Sequence, residues 1–189
     1  TSRSSRRATT NCGRSRPRPA LATPGPRHEE TLAAVQAKAV CLTKMGRLTE
    51  ALELHQETLR LRREILGPRH ADTLVSMINL AHCYARLRRT VEACALEEEA
   101  LPILEERLGP DHPRTLNTMN NLSLSYAELD RAEDSLKMGQ EVLRRRQKKL
   151  GAYHPDTLAS MHNVAVALFD LGRFAEALKI NEETLKLRQ

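Results

Sequence analysis

Four histidines occupy matching places in four similar stretches of the sequence, and histidine is a common acid–base catalyst and metal ligand. The stretches read GPRHEETL, GPRHADTL, GPDHPRTL and GAYHPDTL, and successive copies begin 42 residues apart. The histidines are therefore one position of a repeat that occurs four times: His28, His70, His112 and His154.

The residues around these histidines predict a structural role. Gly109 suits a helix end in the left-handed region, and Pro110 prevents the helix from continuing. Because Pro113 suits the first position of the next helix, His112 falls at the N-cap, where its ring can accept a hydrogen bond from an early backbone N–H. Two stacked helices per repeat, at ~8–10 Å each, hold equivalent histidines about 15–20 Å apart, which disfavours a metal site. Catalysis would need a partner base, and none recurs beside the histidine.

Each 42-residue unit divides into two amphipathic segments with a short break between them. In the third unit, apolar residues follow a period close to 3.6 over residues 115–129, and a second segment starts near Glu133. Gly46 and Gly172 stand at the break of the first and fourth units, where a helix can end in the left-handed region. The pattern predicts an all-α chain of helix–turn–helix units.

The net charge of +6 comes from one end of the chain. Residues 1–24 contain six arginines and no acid, which leaves 24 basic and 24 acidic residues in the rest. The repeats are therefore not a cationic nucleic-acid binder. We predict that residues 1–24 form a disordered Arg/Ser/Pro-rich tail, because they cannot bury enough apolar area to fold. The lack of acids also fits an organelle transit peptide.

Several classes of function are disfavoured by the sequence. The longest apolar run, residues 164–169, is too short to span a membrane. The four cysteines form no CxxC pair, which indicates free thiols in a reducing compartment, and we expect a cytoplasmic protein. The sequence has no Gly-rich phosphate loop and no nucleophile–base pair, so we expect no enzyme activity and no cofactor or metal.

The unit resembles the tetratricopeptide repeat in the 42-residue form that is typical of kinesin light chains. The stretches NLAHCY (79–84), NLSLSY (121–126) and NVAVAL (163–168) are similar to its first-helix motif. GRLTEAL (46–52) and GRFAEAL (172–178) are similar to its turn and second-helix start, and LGPDHPRTL (108–116) to its linker. The resemblance implies a right-handed superhelical solenoid of four helix–turn–helix repeats, covering residues 25–66, 67–108, 109–150 and 151–189.

The chain departs from the family pattern at a few positions. Arg88 stands in the second repeat where glycine is expected, and Pro102 falls inside that repeat's second helix. An interior proline costs ~3 kcal/mol, so we predict a kink and the lowest local stability there. The usual aromatic residue of the second helix is replaced in the four repeats by His55, Glu97, Gly139 and Asn181.

The resemblance further implies that the first helices line a concave groove. Asparagines at its edge bind the backbone of an extended peptide in related proteins, and an amide can both donate and accept. The alternative is that each asparagine bonds a neighbouring helix. The implied edge positions are Asn79, Asn121 and Asn163. The implied groove positions are Ala33, Gln36, Val40, Thr43 and Lys44; Val75, Ile78, His82, Ala85 and Arg86; Asn117, Asn120, Leu124, Ala127 and Glu128; and Ala159, His162, Val166, Phe169 and Asp170.

The last groove position changes sign along the array, from Lys44 and Arg86 to Glu128 and Asp170. A bipolar groove would orient a peptide with separated charges. The alternative is four solvated side chains at helix ends.

The sequence thus predicts a non-catalytic scaffold or adaptor that binds a peptide segment or partner protein in its groove, with no nucleic-acid or membrane partner. The alternative is an interaction or assembly fragment of a larger multidomain signalling or motor-associated protein whose catalytic domain lies elsewhere. Self-association through uncovered solenoid ends is a third hypothesis, because the last repeat leaves apolar residues without a neighbour. These residues are Leu178, Leu185 and Leu187.

Overall fold

The computed structural model describes Gly25 and residues 27–188, and this part of the chain folds into eight α-helices. Residues 1–24, where we predict a disordered tail, lie outside the described residues. Corresponding helices of successive repeats begin 42 residues apart, which confirms the predicted period. The helices are α1 (Glu29–Lys44), α2 (Leu48–Leu66), α3 (Ala71–Arg86), α4 (Thr90–Leu108), α5 (Pro113–Glu128), α6 (Ala132–Leu150), α7 (Pro155–Asp170) and α8 (Phe174–Arg188).

The recurring histidines begin the first helix of each repeat, as predicted. The Nδ1 atom of each histidine accepts a hydrogen bond from the backbone N–H two residues further on. Gly67, Gly109 and Gly151 end the preceding helices with φ angles of 85°, 92° and 88°. The hydroxyls of Thr73 and Thr115 donate back to the carbonyls of Gly67 and Gly109, at 2.8 and 2.9 Å. This stretch is therefore a structural connector between repeats.

The break inside each repeat also uses a left-handed residue. Gly46 and Gly172 have φ angles of 80° and 71°, as the sequence predicts. Arg88 and Asp130 take the same place in the second and third repeats, with φ angles of 60° and 58°. Side chains other than glycine are strained in this region, although aspartate tolerates it better than most. The break is thus maintained at Arg88 at a local energetic cost.

Each helix packs against the helices before and after it in the chain, so the core runs along the stack. In addition, α1 contacts α3 and α5 contacts α7, whereas within the described residues comparable contacts are absent between α3 and α5 and between successive second helices. This closer approach is expected when the first helices line the inner side of a curved stack.

The second helix of the second repeat, α4, is continuous through Pro102, which is exposed. The predicted kink and low local stability at this proline stay predictions. None of the helices in the described part of the chain is long and apolar enough to cross a membrane.

Candidate functional site

We call the surface formed by α1, α3, α5 and α7 the first-helix face. Most of the predicted groove residues lie on it with accessible side chains. Half-buried members of the set are Val40, Asn79, Asn120, Asn121 and Asn163. Exposed members are Lys44, His82, Arg86, Asn117, Leu124, Glu128, His162, Phe169 and Asp170.

Gln36 corrects the predicted set, because its side chain is only 7% exposed and both ends of its amide are engaged. Its oxygen accepts a hydrogen bond from Ser76 at 2.9 Å, and its nitrogen lies 3.0 Å from Nδ1 of His55. Burial, together with the nearby His82, lowers the pKa of His55 to about 4, so this ring is neutral at pH 7. Gln36 therefore joins repeats and is not free to contact a ligand.

We call the contact between one repeat and the next a junction, so the four repeats have three junctions. A buried arginine joins the repeats at two of them. At the first junction, Nη1 of Arg62 in α2 donates to Ser76 Oγ in α3 at 2.8 Å. At the third, Nη1 of Arg146 in α6 donates to Ser160 Oγ in α7, also at 2.8 Å. Each arginine is 5% exposed and also donates to a backbone carbonyl. At both junctions the buried arginine is therefore held by hydrogen bonds to a serine hydroxyl and a backbone carbonyl of the next repeat.

The third junction engages several of the predicted asparagines. Arg146 donates to Asn117 Oδ1 at 2.8 Å and to Asn120 Oδ1 at 3.4 Å. The Asn120 oxygen also accepts a hydrogen bond from the amide of Asn163 at 3.0 Å. At Asn163 the alternative role, bonding to a neighbouring helix, is therefore the one observed. Asn120 is held in the same way.

The middle junction differs, because Leu104 occupies the place of the two buried arginines. Thr118 stands where Ser76 and Ser160 stand, and its buried hydroxyl has no hydrogen-bond partner among the described residues. A cavity of about 190 Å³ opens beside it, between α3 and α5. We call this cavity the amide pocket; its lining residues are Val75, Ile78, Asn79, Arg114, Asn117, Thr118 and Asn121.

A second cavity of about 210 Å³ adjoins the amide pocket and shares Asn121 with it. We call it the acid pocket, because two carboxyl groups line it. Its lining residues are His82, Ala85, Thr90, Glu97, Asn121, Leu124, Ser125 and Glu128. None of these is a lysine or an arginine.

Glu97 is the unusual residue of the acid pocket, since its side chain is only 5% exposed and forms no ion pair within the described part of the chain. Oε2 accepts a hydrogen bond from Ser125 Oγ at 2.8 Å. Burial raises the pKa of Glu97 to about 7, against the opposing effect of that hydrogen bond. The carboxyl group is therefore half ionised near neutral pH.

The four residues at the position where the charge changes sign differ in their hydrogen bonds and ion pairs. Arg86 donates to the carbonyl of Thr43 at 3.3 Å, and Glu128 accepts from Thr90 at 2.6 Å and from Arg88 at 3.4 Å. Lys44 and Asp170, the outermost members, are exposed and have no hydrogen-bond or ion-pair partner in the described segment. Whether this polarity orients a ligand stays a prediction.

The last repeat presents apolar side chains. Phe169 is 62% exposed and meets Phe174 edge to face, with ring centroids 5.0 Å apart. Leu178 and Leu185 are also largely exposed, whereas Leu187 is half-buried. Within the described residues, no cluster of His, Cys, Asp or Glu side chains could hold a metal ion.

Sequence reasoning missed the importance of Glu97, Thr118 and Leu104. The signal for Glu97 was visible, because a carboxylate replaces the usual aromatic residue at a core position. The signal for the other two appears on alignment at 42-residue spacing, where Leu104 interrupts a series of arginines: Arg62, Arg146 and Arg188.

Stacked helix–turn–helix units with a shared first-helix face define an α-solenoid repeat protein. The tetratricopeptide repeat family model matches residues 30–106, 79–148 and 122–189, and the chain belongs to this family. The comparison with curated proteins finds no match.

Solved structures agree with this assignment and share the fold. A Podosopora anserina protein described as a kinesin light chain with nearly identical TPR-like repeats is 26% identical, with a TM-score of 0.76, covering 86% of this chain and 77% of that one. BtubC (BKLC) from P. vanneervenii is 21% identical, with a TM-score of 0.77, covering 84% of this chain and 63% of that one. MamA from Desulfovibrio magneticus RS-1 is 13% identical, with a TM-score of 0.66, covering 86% of this chain and 79% of that one.

Proposed function

We propose that this chain is a non-catalytic interaction scaffold that binds an extended peptide, or an extended segment of a partner protein, along the first-helix face. The observation that carries the proposal is the amide pocket. There, the side chains of Asn79 and Asn121 have no hydrogen-bond partner among the described residues, and they stand beside the apolar side chains of Val75 and Ile78.

The chemistry of the amide pocket suits a peptide backbone. An extended peptide presents an N–H and a carbonyl at each residue, and an asparagine side chain can satisfy both. Asn79 and Asn121 occupy the same position in successive repeats, so they can hold two points along one extended chain. Their half-burial reduces competition from water and strengthens such hydrogen bonds.

The size of the cavity favours a peptide over a small metabolite. Small-molecule sites usually enclose about 300–1,000 Å³, whereas the amide pocket measures about 190 Å³. A pocket of this size, with Val75 and Ile78 in its wall, suits one apolar side chain of a longer ligand. The membership in the tetratricopeptide repeat family, whose repeats generally bind peptides or partner proteins, supports the same proposal.

The test is a selection of peptides from a fully randomised display library on the full chain, repeated with the Asn79→Ala/Asn121→Ala double variant. Asn181→Ala is the matched control, because Asn181 is exposed on α8, away from the first-helix face. Circular dichroism would verify that the variants remain helical. We expect peptides that bind the wild type and the control but lose roughly tenfold or more in affinity for the double variant, the effect of two or more lost hydrogen bonds. Selected peptides that bind all three proteins equally would contradict the proposal.

A further inference from the structure

We propose that the acid pocket binds the ammonium or guanidinium group of a lysine or arginine residue of the peptide, with Glu97 as its buried anionic partner. This inference rests on the proposed function, because the cation belongs to a peptide on the first-helix face. It adds the chemistry by which that peptide is selected.

The first argument is the burial of Glu97 without a cation. A carboxylate that leaves water loses several kcal/mol of hydration, and this cost is normally offset by an ion pair or several hydrogen bonds. Within the part of the chain that the structure describes, Glu97 has one hydrogen bond, from Ser125, and its side chain lines an open cavity. A cation entering the cavity would supply the missing partner.

The second argument is the charge of the pocket wall. Glu97 from α4 and Glu128 from α5 are the acidic groups, and His82 faces them from α3. Burial, with the nearby Arg86, lowers the pKa of His82, which disfavours the charged form of this ring. No lysine or arginine lines the cavity, and because Glu128 pairs with Arg88, Glu97 is the acidic group of the wall that lacks a basic partner among the described residues and is complementary to a cation.

The third argument is the shape of the entrance. Leu124 is 43% exposed and lies at the cavity together with Ala85, so the pocket offers apolar surface as well as charge. Lysine and arginine side chains need both, because they pack their methylene groups on apolar surface while the head group finds a polar partner. Glu128, at the rim, is already held by Thr90 and Arg88.

The protonation of Glu97 is consistent with this role. Its pKa is raised to about 7 by burial, so the empty pocket holds a proton on this carboxyl group about half of the time at neutral pH. A bound cation favours the ionised form and would lower this pKa. The proton therefore keeps the empty pocket stable, and the peptide cation replaces it.

The position of the pocket predicts a pattern in the ligand. Asn121 lines both cavities, so a basic residue in the acid pocket stands close to the residue in the amide pocket. We expect selected peptides to combine an apolar residue and a lysine or arginine at a fixed, short spacing.

The test uses the peptides selected from the randomised library. Each is compared with a version whose basic residue is replaced by a neutral analogue, norleucine for lysine or citrulline for arginine. The two versions are titrated against wild type, Glu97→Gln and the control Glu133→Gln, which alters an exposed carboxylate on α6.

On wild type and the control, we expect the neutral peptide to bind roughly 10- to 100-fold more weakly, the range for a hydrogen bond to a charged group. On Glu97→Gln this difference should shrink to about threefold or less, as a double-mutant cycle requires. The wild-type comparison needs no variant, so it stands even if Glu97→Gln folds poorly.

The possible failures are distinguishable. Peptides that depend on Asn79 and Asn121 but carry no basic residue at a fixed position would overturn this inference and leave the proposed function standing. A basic residue that contributes equally to the affinity for wild type and for Glu97→Gln would also overturn this inference and leave the proposed function standing. Peptides indifferent to the asparagines would contradict the proposed function, and this inference with it.

Discussion

At the scale of single residues, the threonines of the repeat differ in how their hydroxyls are satisfied. Thr115 is buried and donates to the carbonyl of Gly109, whereas Thr118, one turn further along α5, is buried without a partner among the described residues. The difference arises because the arginine that bonds the equivalent serines at the other junctions is replaced by Leu104. An unsatisfied buried hydroxyl lowers the free energy of unfolding by about 1–3 kcal/mol. The Thr118 hydroxyl therefore destabilises the middle junction beside the amide pocket.

We expect Thr118→Val to raise the free energy of unfolding by up to ~1 kcal/mol, because it removes an unpaired hydroxyl while nearly preserving shape. Thr115→Val is the matched control and should lower the free energy by ~1 kcal/mol, since it removes the hydrogen bond to the Gly109 carbonyl, which then keeps only the backbone N–H of His112 as a donor. Urea unfolding measures both changes, when the free energy of unfolding depends on urea concentration with the same slope in the variants and the wild type. A destabilised Thr118→Val protein would show that this hydroxyl has a partner in solution.

Glu97 makes a pH-dependent contribution to stability, and its sign follows from the raised pKa. The ordinary pKa of a glutamate, 4.5, is raised to about 7 by burial. Between these pH values the unfolded chain has lost this proton while the folded chain keeps it. The contribution of Glu97 to the free energy of unfolding therefore falls as pH rises from about 4.5 to 7, in total by on the order of 3 kcal/mol, and is constant above that window.

The corresponding measurement is urea unfolding at pH 5 and pH 8 for wild type and Glu97→Gln. We expect wild type to lose more stability than the variant between the two pH values, because glutamine does not titrate. Glu53→Gln, which removes an exposed carboxyl group on α2, should follow the wild type. Equal pH dependence of wild type and Glu97→Gln would mean that Glu97 ionises normally in the folded protein.

At the scale of helices and turns, the break inside each repeat has the same backbone form with different residues. Gly46 and Gly172 adopt the left-handed conformation freely, whereas Arg88 holds it with a side chain. Among the described residues, the Arg88 side chain forms only an exposed ion pair with Glu128, and exposed pairs contribute little. The turn between α3 and α4 is therefore a place where the sequence is not optimal for its structure.

We expect Arg88→Gly to stabilise the protein by roughly 0.5–1 kcal/mol, because glycine removes the left-handed strain but loses more backbone entropy on folding. Asp130→Gly should gain less, since aspartate tolerates this conformation better. Thermal unfolding of the two variants beside wild type gives the comparison. The expectation fails if Arg88→Gly unfolds at a lower temperature, or if Asp130→Gly gains more.

Helix boundaries could be predicted from the sequence because their signals are local and repeated. The glycine, the proline and the capping histidine of each linker lie within a few residues of the helix ends that they determine. The role of Gln36 could not be predicted, and the sequence left open whether Asn163 bonds a peptide or a neighbouring helix, because the partners of these residues and of Asn120 are on other helices. Gln36 bonds His55 and Ser76, and the two asparagines bond each other. Such pairings depend on the three-dimensional stacking of specific repeats, which periodicity does not specify.

At the scale of the whole molecule, the three repeat junctions alternate in character along the array. The first and third contain a buried arginine in a hydrogen-bonded network, and the middle one contains Leu104 and two adjoining cavities. The outer junctions are bonded through their arginines, and the third also keeps an unpartnered buried hydroxyl at Thr157, while the middle one leaves amides, a hydroxyl and a carboxyl group available to bond a ligand. This arrangement places the proposed binding region at the centre of the first-helix face.

Exposed apolar groups on α8 predict a second property of the whole molecule. Phe174, Leu178 and Leu185 are each about 60% exposed, and clustered apolar surface promotes association. We expect light scattering to show association that increases with protein concentration and is reduced by Leu178→Glu/Leu185→Glu. A mass equal to the monomer at all concentrations would reject self-association.

The most direct test of the central claim is to locate a bound peptide on the full chain. A selected peptide that carries a photoreactive benzoylphenylalanine beside its apolar residue would be crosslinked to the protein, and the attachment sites would be identified by mass spectrometry. We predict attachment to α3 and α5 near Asn79 and Asn121, with a loss of crosslinking in the Asn79→Ala/Asn121→Ala variant. Attachment to the outward surfaces of α4 and α6, or to residues 1–24, would contradict the assignment of binding to the first-helix face.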